Sequence, residues 1–139
     1  MNAVKLLKKQ HRDVEELFSR FESAKGEESK QQAFEEIADA LAVHATIEER
    51  HFYPAVKEKQ TEEILFESLE EHLEIKRVIA DLLALETVDE TFEAKVKVLQ
   101  EDVEHHVEEE ETELFPKLKS KLERDELAEL GDAVVAAKK

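Results

Sequence analysis

The stretch LAVHATIEERHFYPAVK, residues 41–57, decides the fold. Read at the helical period, it continues an apolar stripe begun by Phe34, Ile37 and Leu41. The next inward positions are His44, Glu48 and His51, before Ala55 restores an apolar residue. A water-soluble helix does not carry polar groups at successive core positions without partners, because an unpaired buried charge is strongly destabilising. The partners have to come from other helices, which must carry matching interruptions.

Three further helices carry them. A helix expected over 3–25, ending at Gly26, has the stripe Val4, Leu7, His11, Val14, Phe18, Phe21. The helix containing the quoted stretch is expected over 28–59, loosened near its end by Pro54. A third, over 62–85 with Thr61 as N-cap, has Leu65, Leu69, His72, Lys76, Ile79 and Leu83 in register. A fourth, over 90–122, carries Phe92, Val96, Leu99, Val103, His106 and Glu110, with Pro116 near its end. The tail 125–137 reads as a short fifth helix capped by Asp125.

The two halves repeat. A shift of 62 residues lays HATIEERHFYP (44–54) on HVEEEETELFP (106–116), matching His44 with His106, Glu48 with Glu110 and Glu49 with Glu111. A shift of 61 lays His11 on His72 and Glu15 on Lys76. The unit is a helix with one inward histidine followed by a helix with inward H-x-x-x-E, used twice. This predicts an all-α, up-down four-helix bundle of pseudo-twofold symmetry, its polar residues meeting at one level. The expected organisation is a single domain over 1–139, with a core bundle over 1–122. His106 continues its stripe, whereas His105 is turned about 100° away.

Composition agrees with helices: two glycines, two prolines and 40% charged residues in 139. The formal net charge of −16 repels nucleic-acid phosphate and anionic membrane surfaces, so neither is an expected partner. No apolar run approaches a membrane span, and MNAVKLLKKQHRD lacks the features of a signal peptide, which points to a cytoplasmic protein. With no cysteine, thiolate metal sites and disulfides are excluded.

In H-x-x-x-E the two side chains stand one turn apart on one face and can reach one metal or adjacent metals. The inward set is His11, His44, Glu48, His72, His106 and Glu110, four imidazoles and two carboxylates. A cation among them removes the penalty of burying them together. The ligand count favours two ions, with Glu48 and Glu110 spanning both, His11 and His44 completing one, and His72 and His106 the other. Nitrogen and oxygen ligation without thiolate suits iron or manganese, and zinc is tolerated. Open positions would remain for solvent, O2 or peroxide.

Glu15 is a candidate additional ligand or else a solvated residue or partner of Lys76. Lys76 either donates a hydrogen bond at the site or packs its stem and pairs with a carboxylate. His51 lies two turns from His44, about 10 Å along the axis, too far to share its ion, and is expected to pack or to support a ligand. Tyr53 and Phe115 are expected to pack where the helices end rather than take part in the chemistry.

The order H, H-x-x-x-E, H, H-x-x-x-E, with a second glutamate and an aromatic-Pro pair after each motif, resembles the hemerythrin-like, or HHE cation-binding, domain family over residues 1–122. The resemblance implies a non-haem di-iron centre bridged by carboxylates and solvent. It also implies roles in O2 binding, oxygen or redox sensing, iron handling, or peroxide and nitric-oxide chemistry. Oxygen-carrying hemerythrins have a second histidine four residues after the one matching His72. This chain has Lys76 there, as in H-L-E-I-K, so the five-histidine arrangement is not present. The readings left open are a protein that binds or senses a small ligand, a peroxide-decomposing or oxygen-reducing enzyme, and a bundle that stores or is held together by iron or zinc.

Overall fold

The computed structural model describes residues 3–57 and 61–119, so the expected fifth helix at 125–137 lies outside the described residues. Helix α1 spans Ala3–Ser23 and α2 spans Glu27–Ile47. Between them Gly26 takes φ +88°, a left-handed conformation that glycine adopts without a Cβ penalty. A π-helical turn, Glu48–Phe52, leads from α2 into the short α3, Tyr53–Val56. Helix α4 spans Glu62–Ala84 and α5 spans Glu90–Glu109. A second π-helical turn, Glu110–Leu114, leads into α6, Phe115–Lys119.

The two π turns fall at equivalent places of the repeat, and each begins at the inward glutamate. In each the first residue past the turn donates five residues back, Tyr53 N–H to the Glu48 carbonyl and Phe115 N–H to the Glu110 carbonyl. A proline ring crowds the carbonyl four residues before it, and a wider turn placed just ahead of Pro54 and Pro116 relieves that crowding. The wider turn also moves the inward stripe. Past Glu48 the buried residues are Phe52, Tyr53 and Val56, while His51 and Ala55 are exposed. The expectation that His51 packs or supports a ligand therefore fails, because it assumed an unbroken α-helical period.

Two other expectations need correction. In α4 the buried stripe is Leu65, Ser68, His72, Ile75 and Leu82, with Leu83 exposed and Lys76 half-exposed. From His72 the next inward residue is three positions on rather than four, which spares the Lys76 ammonium a costly burial. Thr61 stands at the N-cap position of α4, its carbonyl accepting from the Leu65 N–H at 2.9 Å, but its hydroxyl makes no capping bond and instead donates to the Val56 carbonyl at 2.9 Å, tying the connection to the end of α3. Helix α5 is capped by Asp89, whose carboxylate accepts from the Phe92 N–H at 3.0 Å.

Contacts fix the topology. Gln10 meets His44 while Phe21 meets Lys30, so α1 and α2 run antiparallel. Likewise Glu71 meets His106 while Asp81 meets Lys95 across α4 and α5. His11 reaches Glu110 while Phe21 packs on Phe92, so α1 and α5 are antiparallel too. The result is an up-down four-helix bundle. Two apolar layers fill it, one around Phe34, Ile37, Phe92 and Leu99, the other around Leu7, Phe52, Leu114 and Phe115. Between these layers, at one level, lie the polar residues.

Candidate metal centre

All six inward residues of the expected set converge there. Glu48 and Glu110 are 0% exposed, and the four histidines are buried. One group brings together His11, His44, Glu48 and Glu110, the other Glu48, His72 and His106. In the first, the Nε2 atoms of His11 and His44 are 3.2 Å apart, His11 Nε2 is 3.1 Å from Glu110 Oε1, and His44 Nε2 is 3.2 Å from Glu48 Oε1. In the second, His72 and His106 Nε2 are 3.0 Å apart, with Glu48 Oε1 at 3.1 Å from His72 and Glu110 Oε1 at 3.3 Å from His106. Each carboxylate therefore approaches both histidine pairs through its Oε1.

The orientation of the rings is set from outside. His11 Nδ1 donates to Glu111 at 2.6 Å and His44 Nδ1 to Gln10 at 2.6 Å. His72 Nδ1 donates to Glu49 at 2.8 Å and His106 Nδ1 to Glu71 at 2.8 Å. A proton held on each Nδ1 leaves the Nε2 lone pair facing inward, the tautomer a metal requires. Two such lone pairs 3.0–3.2 Å apart repel unless a cation lies between them. Glu48 Oε2 is buried with no hydrogen-bond partner, a cost that a cation would also remove. The donor set thus fits a metal on grounds of its own chemistry.

Electrostatics in the absence of metal show the same need for positive charge. Burial alone would push the His44 pKa down, but Glu48 and Glu110 outweigh it and raise the value to about 9. His106, despite the same desolvation, is held well above its ordinary value by Glu110, Glu48 and Glu71. Desolvation works to raise Glu48 and Glu110; His44 and His106 hold Glu48 well below the usual carboxylate range, and His106 brings Glu110 to about 2 in spite of Glu48 beside it. Protons on imidazole stand in for the cation that the carboxylates call for.

Of the residues that orient the histidines, Glu49 and Glu111 stand out in the sequence only as matched glutamates of the repeat and Gln10 and Glu71 do not, yet all four carry a positional signal. Gln10 and Glu71 each precede the lone inward histidine of their helix, and Glu49 and Glu111 each follow the inward glutamate. The outer carboxylates are pinned in turn. Arg12 donates to Glu111, and Lys76 Nζ lies 2.9 and 3.1 Å from the two oxygens of Glu49. Lys76 is therefore linked to His72 through Glu49 and pairs with a carboxylate outside the buried cluster. Glu15 is exposed, 3.6 Å from Arg12, and stands outside both buried groups.

Tyr53 departs further from expectation. It does pack, its ring 5.6 Å from that of His72, but its hydroxyl also donates to Glu110 Oε2 at 2.7 Å and lies 3.4 Å from His72 Nε2. It belongs to the cluster. Phe115, its repeat mate, stacks on His11 with centroids 6.1 Å apart and planes 7° from parallel, and brings no hydroxyl.

A cavity of about 290 Å3 adjoins the four histidines on the side of the larger apolar layer, walled by residues such as Val14, Leu41, Ile75, Val103 and Val107. It has room for several small molecules, a water occupying roughly 30 Å3.

The family model for the hemerythrin HHE cation binding domain matches residues 2–118. The chain belongs to this family. A crystal structure of a hemerythrin HHE cation binding domain-containing protein from Mycobacterium kansasii superimposes with a TM-score of 0.88 at 25% identity, covering 99% of this chain and 85% of that one. A protein of Nostoc sp. strain PCC 7120 described as a DNA nickase is 28% identical over 138 residues, which are 99% of this chain. The HHE domain described here spans 39% of that relative's length. Among the described residues of this HHE domain, no helix is long and apolar enough to cross a membrane.

Proposed function

We propose that this HHE domain holds two non-haem iron ions and binds or senses O2 or a related small ligand such as peroxide or nitric oxide. Glu48 and Glu110 would bridge the ions, with His11 and His44 on one and His72 and His106 on the other. The observation that carries this reading is the convergence of four Nε2 lone pairs, each fixed by an Nδ1 hydrogen bond, around two buried carboxylates. When bound, iron supplies redox chemistry and open coordination positions. The chain's own residues orient the ligands, exclude bulk water and offer an apolar cavity where a small, weakly polar molecule loses little by leaving water. The Nostoc relative's nickase name is not carried over, since the charge of −16 opposes docking on phosphate.

Metal analysis of protein prepared without added metal, with absorption spectra before and after O2 and peroxide, tests the proposal. About two irons per chain and ligand-dependent bands are expected; fewer than one metal per chain, or colourless zinc-loaded protein from iron-replete cells, would overturn it.

A second reading, peroxide decomposition, is favoured by Tyr53. Its hydroxyl, kept protonated by burial and by Glu48 and Glu110, is an O–H group inside the cluster that would serve as a proton donor there on giving up its hydrogen bond to Glu110. Catalytic loss of peroxide that falls in Tyr53→Phe and disappears in His106→Ala supports it; stoichiometric loss alone does not.

A further inference from the structure

A third group of ligand-type side chains lies outside the buried centre, on the seam between α4 and α5. His105 Nε2 is 3.3 Å from Glu71 Oε2 and 3.5 Å from Glu109 Oε2, and ligand atoms of all three residues lie within 4.8 Å of one another. Ligands about 2.1 Å from one ion stand roughly 3.0–3.4 Å apart, close to the separations of His105 from each carboxylate. His105 is 71% exposed, which leaves the group open to solvent on one side. Glu109 is 8% exposed and its Oε1 has no hydrogen-bond partner. A buried carboxyl oxygen without a partner is costly.

The repeat supplies an internal control. Shifted by 61 or 62 residues, Glu71, His105 and Glu109 fall on Gln10, Val43 and Ile47. Gln10 orients His44 as Glu71 orients His106, with no need of a charge. Ile47 is buried in the apolar layer, the role its repeat position is built for. Neither holding the histidine nor filling the core explains why the second half replaces an amide and two aliphatics with two carboxylates and an imidazole.

We propose that Glu71, His105 and Glu109 form a peripheral site for one divalent transition-metal cation, with water completing its shell. One imidazole and two carboxylates form a donor set that zinc and ferrous iron accept. Glu71 joins the two sites, since its Oε1 accepts from the His106 Nδ1 while its Oε2 faces the outer cation.

Zn2+ added to protein as prepared, with bound metal counted by native mass spectrometry and by equilibrium dialysis, tests this against His105→Gln, His105→Val and Glu109→Gln. His105 is exposed, so its replacement leaves the fold intact, and Glu109→Gln keeps the volume. Wild type is expected to take up one Zn2+ more than each variant, or to hold that ion at least 10-fold more tightly, with the remaining metal unchanged. The comparison between wild type and variant reads the outer site whatever the buried centre holds, so failure of the di-iron reading leaves it intact. Equal uptake and equal affinity across wild type and the three variants would overturn the proposal.

Discussion

Replacing Tyr53 by Phe removes one oxygen and little else. The ring keeps its place against His72 at 5.6 Å and Phe52 at 6.2 Å, so packing is conserved. What is lost is the hydrogen bond to Glu110 Oε2 at 2.7 Å, in a position where Glu110 is 0% exposed and water cannot substitute. A hydrogen bond to a buried charged group contributes about 1.5–3 kcal/mol, and an acceptor left without its donor keeps the full desolvation penalty. Metal-free Tyr53→Phe is therefore expected to be less stable by about 2 kcal/mol. For a domain of this size that lowers the melting temperature by roughly 6–10 °C. Circular-dichroism melts and urea titrations of chelator-treated protein read it directly, with an unchanged urea dependence showing that the fold is retained. A difference under about 0.5 kcal/mol would refute the reasoning, because it would mean that Glu110 is satisfied without the tyrosine.

The reverse change, Phe115→Tyr, places a hydroxyl at the repeat-equivalent position, where Glu48 Oε2 has no partner. Added to Tyr53→Phe, it should restore part of the lost stability of the metal-free protein in the same melts, and a further loss would show that the core beside His11 cannot accept the oxygen. Removing an acceptor of an Nδ1 proton, in Gln10→Ala or Glu111→Ala, should weaken metal binding about 10–100-fold by competition with a chelator while leaving the number of sites unchanged. His51→Ala should alter neither metal content nor stability by more than about 0.5 kcal/mol, in contrast to His44→Ala, as exposed and buried positions require. In metal-free protein the His44 contribution, from a pKa raised from 6.5 to about 9, is full below pH 6.5 and lost as pH rises through about 9. The Glu110 contribution, from a value lowered from 4.5 to about 2, is full above pH 4.5 and lost as pH falls through about 2. Urea titrations across pH should therefore show a plateau between about 4.5 and 6.5 with a decline on the alkaline side, and flat stability from 6.5 to 9 would contradict it.

The bundle and the six inward residues were legible because both rest on helical period, which His11, His44, Glu48, His72, His106 and Glu110 all keep up to the point where each acts. Period fails where the backbone changes pitch. His51 and Ala55 were read as inward because nothing in an unbroken count of residues announces the π turn beginning at Glu48; Pro54 signals loosening but not the extra residue in the turn. The expected pairing of Lys76 with a carboxylate holds, in Glu49, but its place on the inward stripe does not, for a different reason. A spacing of three or four after His72 preserves a stripe equally well, and the cost of burying an ammonium settles it in favour of Ile75. Tyr53 was half legible, since burial of an aromatic before the helix end follows from sequence whereas the direction of its hydroxyl depends on the π turn that rotates it toward Glu110.

Sequence repetition explains the shared frame, and departures from it make the two histidine pairs differ. Each half supplies an imidazole from one helix, an imidazole and a carboxylate from the next, and an outer acceptor for every Nδ1. Those groups determine where lone pairs point, so the repeat holds them in common. Around them the halves diverge: Tyr53 against Phe115 gives Glu110 a donor that Glu48 lacks, and Glu71 against Gln10 places a charge behind His106 where an amide stands behind His44. A carboxylate acceptor makes an imidazole a stronger donor to a cation than an amide does, and a carboxylate already engaged by a hydroxyl is a weaker one. The position at His72 and His106 therefore has the more basic nitrogen and adjoins the Tyr53 hydroxyl, while the position at His11 and His44 has the amide-held imidazole and faces Phe115. Two ions bound in this frame are chemically inequivalent by construction, and loading with a substoichiometric spectroscopic cation such as Co2+ should yield one dominant absorption spectrum whose bands shift in Gln10→Glu, the variant that makes the two outer acceptors alike.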